Sequence, residues 1–462
     1  MEQQEKEKTK IKIKTKTKAK IYDKYVSNAG ENRIMADSFL TEQFGIAPHV
    51  LALCHKAEEE IRPVFHDIDA VGEYNQYKVL GAMQKNRLSD VHFAATTGYG
   101  YNDLGRDVLE QIYADVFHTE AALVRPQIIS GTHALTVALF GNLRHGDELL
   151  SPAGAPYDTL LGVIGVRKTR GSLMEHGIIY RQAELLPDGG FDYAAIEQAI
   201  TARTRLVTIQ RSKGYAWRKS FSVAEIGCLI AFIKSIRSDI ICMVDNCYGE
   251  FVEHLEPSDV GADLVVGSLI KNPGGGLAPV GGYIAGKEEY VENAAARLTS
   301  PGLGREVGPT LGVTPKLIQG FFMAPQVVSG SLKTAVFASA LMQKLGYDVM
   351  PEPMEPRSDI VQAIAMGAEA PLLAFCEGIQ MGAPVDSYVT PTPWAMPGYD
   401  CPVVMAAGAF VQGSSIELSA DGPVKPPYIV YMQGGLTWAH GKIGVITALN
   451  HMANKGIIDF MQ

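Results

Sequence analysis

The chain has 462 residues, of which 47% are apolar and 20% are charged, and its net charge at pH 7 is -9. This balance excludes a wholly disordered protein, and the acidic balance gives no reason to expect specific nucleic-acid binding. The longest apolar runs, such as residues 229–233, are much shorter than the roughly 20 residues of a membrane-spanning helix. The N-terminus has no apolar stretch typical of a secretory signal, so we expect a cytoplasmic protein that makes no membrane contact.

The first 24 residues differ in composition from the rest of the chain. They contain nine lysines and four acidic residues, a net charge of +5, and lysine occupies every even position from 6 to 20. Repulsion between these lysines and the lack of core-forming side chains favour a disordered, solvated arm over residues 1–24. Docking of this arm on a polyanion or on an acidic surface is the alternative interpretation.

Cysteine and histidine are too scattered to indicate a metal site. The six cysteines form no C-x-x-C pair, and the eleven histidines show no ligand-like spacing. We therefore expect reduced thiols, as in the cytoplasm, and no bound metal.

From about residue 121 to residue 285, predicted strands alternate with predicted helices. This alternation predicts an α/β fold with a mainly parallel sheet and helices on both faces. The predicted organisation has five parts: the arm, a helical segment at 25–93, a large domain at 94–315, a linking helical segment at 316–345 and a small C-terminal domain at 346–462. In the small domain, the pattern predicts a helix around residues 359–368.

Polar residues follow four of the predicted strands. They are Ser130-Gly-Thr132, Gln210-Arg211, Asp245 and, just after the fourth strand, Lys271. Ligands of parallel α/β sheets bind outside the carboxyl ends of the strands, so these residues are candidates for one site.

The turn at Ser130, Gly131 and Thr132 precedes a predicted helix. Glycine lets the backbone approach a ligand closely, and a helix N-terminus offers N–H groups to an anion such as a phosphate. The turn matches neither G-x-G-x-x-G nor the P-loop pattern. An ordinary helix cap explains it equally well.

Asp245 and Lys271 stand at the ends of adjacent predicted strands, and Lys271 precedes Asn-Pro-Gly-Gly-Gly. A lysine, a carboxylate and a phosphate-binding turn are the groups that pyridoxal phosphate requires: a Schiff-base amine, a partner for the pyridine nitrogen and a phosphate site. A surface salt bridge between the two side chains is the simpler alternative.

With these groups in order, the chain resembles the fold-type I pyridoxal-phosphate enzymes. Within them it is most similar to the methionine gamma-lyase family, or aluminium resistance protein branch, of the cystathionine lyase group. The matching segments are residues 92–107, 130–134, 154–160, 244–246, 431–435 and the region of Lys271. The resemblance covers about residues 32–462 and implies a large domain with a seven-stranded sheet and a smaller α+β C-terminal domain.

The resemblance also implies residue roles. Lys271 would hold the cofactor, Asp245 would pair with its ring nitrogen, and Tyr157 would stack on the ring and protonate the leaving group. These three are the predicted catalytic residues. The predicted cofactor-binding residues are Lys271, Asp245, Ser130, Gly131, Thr132, Tyr157, Ser268, Tyr99 and Tyr101. Of these, Tyr99 and Tyr101 would reach the phosphate of a neighbouring subunit, so a homodimer or homotetramer with shared active sites is expected.

Two departures from the lyase pattern concern cofactor and substrate contacts. Ile270 stands immediately before the lysine, where the lyases carry a hydroxyl residue. The arginine motif that binds the substrate carboxylate in those lyases is not evident. Arg211 and Arg218 are the predicted substitutes, because a guanidinium fork suits a carboxylate, and Arg305 and Arg357 are further options.

The implied activity is elimination of a β or γ substituent, a thiol, from a sulfur amino acid resembling methionine or cystathionine. The products would be a 2-oxo acid, ammonia and the thiol. Two alternatives stay open: other pyridoxal-phosphate chemistry on the same fold, such as aldol cleavage or racemisation, and a stress-related binding protein that retains the cofactor without turnover.

Overall fold

The computed structural model describes residues 29–396 and 399–459. The predicted Lys-rich arm lies outside the described residues. The chain divides into two compact units, one up to His55 and one from Lys56 onward. The first unit contains helix α1 (Ala29–Phe44) and the beginning of helix α2 (Pro48–Lys85), where His55 Nε2 lies 2.8 Å from a carboxylate oxygen of Asp37.

The second unit contains a seven-stranded sheet. Its strands are β1 (Ala121–Arg125), β2 (Glu148–Ser151), β3 (Ile179–Gln182), β4 (Thr204–Gln210), β5 (Ile241–Asp245), β6 (Leu264–Ser268) and β7 (Gly282–Gly286). They lie in the order β1-β7-β6-β5-β4-β2-β3. Strands β3, β2, β4, β5 and β6 pair in parallel, whereas β7 is antiparallel to both β6 and β1.

Helices cover both faces of this sheet. They are α3 (Leu104–Val116), α4 (Gly131–Asn142), α5 (Asp158–Ile164), α6 (Tyr193–Ala199), α7 (Val223–Ile236), α8 (Glu288–Leu298) and α9 (Thr314–Lys344). Successive residues of a strand point to opposite faces. Thus Leu123 of β1 packs with α4 and α8, while its neighbours Ala122 and Val124 pack with α3 and α9. Both faces are therefore apolar, which explains the continuous hydrophobic runs in the sequence.

The C-terminal part forms a smaller antiparallel sheet. Its strands are β8 (Asp348–Met350), β9 (Gln362–Ala365), β10 (Val403–Ala406), β11 (Ser419–Pro423) and β12 (Ile429–Gln433), in the order β10-β11-β12-β9-β8. Helices α10 (Glu369–Met381) and α11 (Trp438–Asn454) accompany it. A mainly parallel seven-stranded sheet with a smaller C-terminal α+β part is the fold class that the sequence predicted, and that prediction is confirmed.

The helix predicted around residues 359–368 is wrong. This segment contains β9, which pairs with β12 on one side and β8 on the other. Val361 and Ala363 pack against Ile429 and Tyr431. A short apolar run has no periodicity that separates a buried strand from a helix, and here the neighbouring strands decide the outcome.

In the described part of the chain, no helix is both long enough and apolar enough to cross a membrane.

Candidate active site

A cavity lies at the carboxyl ends of β4 and β5 and reaches the small sheet. Its walls combine strand ends of the large sheet with buried side chains of the small one. The lining residues are Tyr157, Gln210, Ser212, Gly214, Tyr215, Asp245, Cys247, Tyr248, Lys271, Val361, Asp421, Tyr431 and Gln433. Tyr157, Asp245 and Lys271, the three predicted catalytic residues, therefore line the same space.

Asp245 is the last residue of β5 and lies between Gln210 of β4 and Val266 of β6. Its Oδ1 accepts a hydrogen bond of 3.2 Å from the backbone N–H of Cys247. Burial raises the pKa of this carboxyl group, while nearby Lys271 opposes that shift. A buried carboxylate in this position gains most from a cationic or N–H-bearing ligand.

Lys271 follows β6 and opens a short 3₁₀ turn at Asn272–Gly274. Its Nζ lies 3.8 Å from the centre of the Tyr248 ring. Burial disfavours the ammonium form, but the surrounding ionisable groups, Asp245 among them, outweigh burial and raise the pKa of Lys271. The turn needs glycine, because a Cβ on Gly274 would lie 1.7 Å from the carbonyl oxygen of Leu269.

The N-terminus of α4 meets the ends of β5 and β6 next to this cavity. A Cβ built on Gly131 would lie 3.2 Å from Cys247 Sγ and 3.4 Å from Ser268 Cβ. Ser130 caps the helix, because its Oγ accepts a hydrogen bond of 3.1 Å from the N–H of His133. The N–H groups of Gly131 and Thr132 belong to the first turn, where the helix supplies no acceptor, so they suit an anion.

Tyr157 precedes α5 and is fixed at both ends. Its backbone N–H donates to Gln210 Oε1 at 2.7 Å, and its hydroxyl group shares a hydrogen bond with the hydroxyl of Tyr399. Burial, reinforced by Tyr399, raises the pKa of Tyr157 well above its usual value. The phenol is therefore protonated at neutral pH and can act as a proton donor.

Known proteins share this architecture. The family model described as methionine gamma-lyase matches residues 50–453. The chain belongs to the methionine gamma-lyase family. The uncharacterized protein YnbB of Bacillus subtilis is 51% identical over 405 residues, which cover 87% of this chain and 96% of that protein.

Solved structures agree in fold. A carbon-sulfur lyase involved in aluminum resistance from Clostridium novyi is 49% identical, with a TM-score of 0.87 over 90% of this chain and 98% of that one. A pyridoxal-5'-phosphate dependent protein, YhfS of Escherichia coli, is 16% identical, with a TM-score of 0.57 over 84% of this chain and 97% of that one. The second likeness concerns the fold alone.

In this member of the methionine gamma-lyase family, Arg211 does not reach the cavity. Its side chain is fully buried. It forms ion pairs with Glu253 at 2.7 Å and Glu256 at 3.7 Å, and its Nη1 donates to Asn246. These contacts tie the loop after β5 to the end of β4, so the guanidinium is already engaged within the protein.

The other candidate arginines also lie outside the cavity lining. The guanidinium of Arg218 stacks on Phe221 and donates to the Ser212 carbonyl at 2.8 Å. Arg305 pairs with two glutamates, Glu110 and Glu292. Arg357 donates through Nη2 to Gln362, while its Nε and Nη1 are buried without a hydrogen-bond partner.

The predicted aromatic pair, Tyr99 and Tyr101, lies on the surface. The rings stack with their centres 5.5 Å apart, and the residues are 69% and 55% exposed. They do not line the cavity of their own chain. Among the described residues, no group of three or more His, Cys, Asp or Glu side chains could hold a metal ion.

Sequence reasoning missed the contribution of the small sheet. Asp421 of β11 and Gln433 of β12 line the cavity, together with Tyr215. A signal existed for Gln433, which stands before Gly-Gly in one of the family-like segments. Asp421 carried no such signal, because Asp-Gly is typical of a turn and here lies inside a strand.

Proposed function

We propose that this protein is a pyridoxal-phosphate-dependent carbon–sulfur lyase that eliminates a β or γ thiol substituent from a sulfur amino acid. A 2-oxo acid, ammonia and the thiol would be the products. The observation that carries this proposal is that Lys271 and Asp245 line one cavity, while the Gly131 turn packs against Cys247, which lines the same cavity. The name of the Clostridium novyi relative agrees with it.

The residues present fit the cofactor. Lys271 would bind it covalently, Asp245 would pair with the pyridine nitrogen, and the N–H groups of Gly131 and Thr132, with the Ser268 hydroxyl, would hold the phosphate. The hydrogen atom in place of a side chain on Gly131 leaves the room that this phosphate needs, since a Cβ there would crowd Cys247 and Ser268. When bound, pyridoxal phosphate supplies a sink for negative charge at the Cα atom of an amino acid.

Two side chains of this protein would move the protons. The neutral amine of Lys271 would take the Cα proton, because Lys271 is the described basic side chain that lines the cavity. Tyr157 would protonate the departing sulfur, since its phenol lines the same cavity and carries a proton at neutral pH. Asp245 would keep the ring nitrogen protonated, because a buried carboxylate favours a positively charged partner. Lys271 is the described cation that lines the same cavity.

We further propose a cytoplasmic homo-oligomer with shared active sites. The exposed pair Tyr99 and Tyr101 would reach the phosphate site of a neighbouring subunit, which would remove two large aromatic rings from solvent. Each free cysteine of the described chain is compatible with a reducing compartment.

The binding-only alternative has one observation in its favour: no arginine is among the described residues that line the cavity. A substrate screen separates the possibilities. Purified holoenzyme is incubated with methionine, cystathionine, cysteine and threonine, while 2-oxo acid, thiol and aldehyde are measured, with Lys271→Ala as the control. Oxo acid and thiol from a sulfur amino acid support the lyase. Aldehyde from threonine supports aldol cleavage, and retained cofactor without any product supports the binding protein.

A further inference from the structure

The cavity lining retains an excess of negative charge when its cofactor-binding residues are set aside. Three charged side chains line it in the part of the chain that the structure describes: Lys271, Asp245 and Asp421. The proposed function engages the first two with the cofactor. Asp421 comes from β11, which lies between β10 and β12 in the small sheet, and it is left to face any other group that enters the cavity. The remaining charge of the cavity is therefore negative.

Asp421 is buried with neutral partners. The residue is 8% exposed, and Gln433 Nε2 donates to its Oδ2 at 3.3 Å. Asp421 forms no ion pair within 4 Å among residues 29–396 and 399–459, and the cation that acts on it is Lys271, which the proposed function assigns to the cofactor. A buried carboxylate is costly unless a cation joins it, and a ligand can supply that cation.

Tyrosine rings surround the same space. Tyr157, Tyr215, Tyr248 and Tyr431 line the cavity, and Tyr215 stacks on Tyr431 with ring centres 5.0 Å apart. Tyr431 is held in place by its hydroxyl group, which donates to the Tyr215 carbonyl at 2.5 Å. Aromatic faces attract cations, and they do so more strongly in a site from which water is excluded.

From this arrangement we infer that the cavity selects amino acids whose side chain ends in a positively charged group, which Asp421 and the tyrosine faces bind. This inference rests on the proposed function, since it assumes that the α-amino group lies at Lys271. A neutral side chain of the same shape would leave Asp421 buried without a counter-ion, and a site built for a polar group rejects the analogue that lacks it.

L-Ornithine and L-norleucine form a matched pair for the test. Their side chains have the same length, ornithine carries an ammonium where norleucine carries a methyl group, and neither has a leaving group. Calorimetric titration of the holoenzyme gives the two dissociation constants, and the absorbance of the bound cofactor shows whether each amino acid reaches Lys271. Ornithine is expected to bind about tenfold or more tightly than norleucine.

Variants assign this preference to one carboxylate. In Asp421→Asn, the ratio of the two dissociation constants should fall to about one. Asp400→Asn is the matched control: it removes the same charge from an exposed residue that pairs with Lys425, so the ratio should stay at the wild-type value. If Asp421→Asn does not fold, the wild-type ratio still decides the matter.

The outcomes separate this inference from the proposed function. Equal affinities, or tighter binding of norleucine, would overturn the inference even if sulfur amino acids are turned over. Failure of both probes to bind, in an enzyme that eliminates thiol from a sulfur amino acid, would also overturn it. Failure of both probes together with absence of any turnover would remove the proposed function, and this inference with it.

Discussion

The Nζ atom of Lys271 lies 3.8 Å from the centre of the Tyr248 ring. Tyr248 stands in the loop after β5 with a φ of 73°, a backbone conformation that a bulky residue rarely adopts. Because aromatic ring faces attract cations, this contact stabilises the ammonium form of Lys271. Neutral amine, not ammonium, attacks a carbonyl carbon, so this contact controls how readily Lys271 reacts.

Replacement of the Tyr248 ring should make Lys271 more reactive. A cation–π contact of about 0.5–2 kcal/mol corresponds to roughly a 2- to 30-fold change in the fraction of neutral amine. We expect Tyr248→Leu apoprotein to capture pyridoxal phosphate faster than wild type at pH 7, measured by stopped-flow absorbance. Tyr248→Phe keeps the ring and should match wild type. Equal acceleration in both variants would mean that the hydroxyl group, rather than the ring face, restrains the lysine.

Asp245→Asn should retain the cofactor and lose most of the turnover. The neutral amide cannot hold a ring nitrogen protonated, and loss of a buried charged partner costs about 3–5 kcal/mol, or roughly two to four decades of rate. Borohydride reduction and peptide mapping, which should place the pyridoxyl group on Lys271 in both proteins, provide the control for cofactor attachment. A folded Asp245→Asn enzyme with near-native turnover would contradict the role of this carboxylate.

Gly131→Ala should weaken the binding of pyridoxal phosphate. Its new Cβ would stand 3.2 Å from Cys247 Sγ and 3.4 Å from Ser268 Cβ, which is a tight contact in the space assigned to the phosphate. We expect the dissociation constant of the cofactor, measured by fluorescence titration of the apoprotein, to rise about tenfold or more. Gly81→Ala is the control, because a Cβ at Gly81 meets no atom within 4 Å. Unchanged affinity in Gly131→Ala would place the phosphate elsewhere.

The large sheet was predictable because its strands carry their own signal. Buried parallel strands are continuous apolar runs, and polar residues such as Asp245 mark the points where they end. The glycine-rich strand β7 gave no such run, since Gly282 and Gly286 bracket only three larger residues. Its place between β1 and β6 depends on long-range pairing that no local pattern contains.

The small-sheet half of the site was less accessible to sequence reasoning. Asp421 lies 176 residues after Asp245 in the chain, and only the packing of the two sheets brings both carboxylates to one cavity. Arg211 shows the converse: a guanidinium beside a strand end looks like a ligand for a substrate, yet Glu253 and Glu256 already engage it. Arg211 does follow a strand of the large sheet, as the sequence predicted, but the loop after β5 supplies the partners of its guanidinium.

The stability of the apoprotein should depend on pH through Asp421. Burial raises the pKa of this carboxyl group to about 6, against 3.8 for its ordinary value. A raised carboxyl pKa means that the folded protein binds the proton more tightly than the unfolded chain, so the group favours folding at low pH. That contribution is lost as the pH rises from about 4 through about 6.

Asp421→Asn should therefore stabilise the apoprotein only where Asp421 is charged. At pH 8 we expect its free energy of unfolding in urea to exceed that of wild type by up to about 3 kcal/mol, the equivalent of about two pKa units. At pH 4.5 the two proteins should differ much less, because Asp421 is then protonated and resembles the amide. Asp400→Asn, at the exposed carboxylate that pairs with Lys425, should show no such gain at pH 8. A stability difference that does not change between pH 4.5 and pH 8 would show that the carboxyl group of Asp421 is not perturbed by burial in the folded protein.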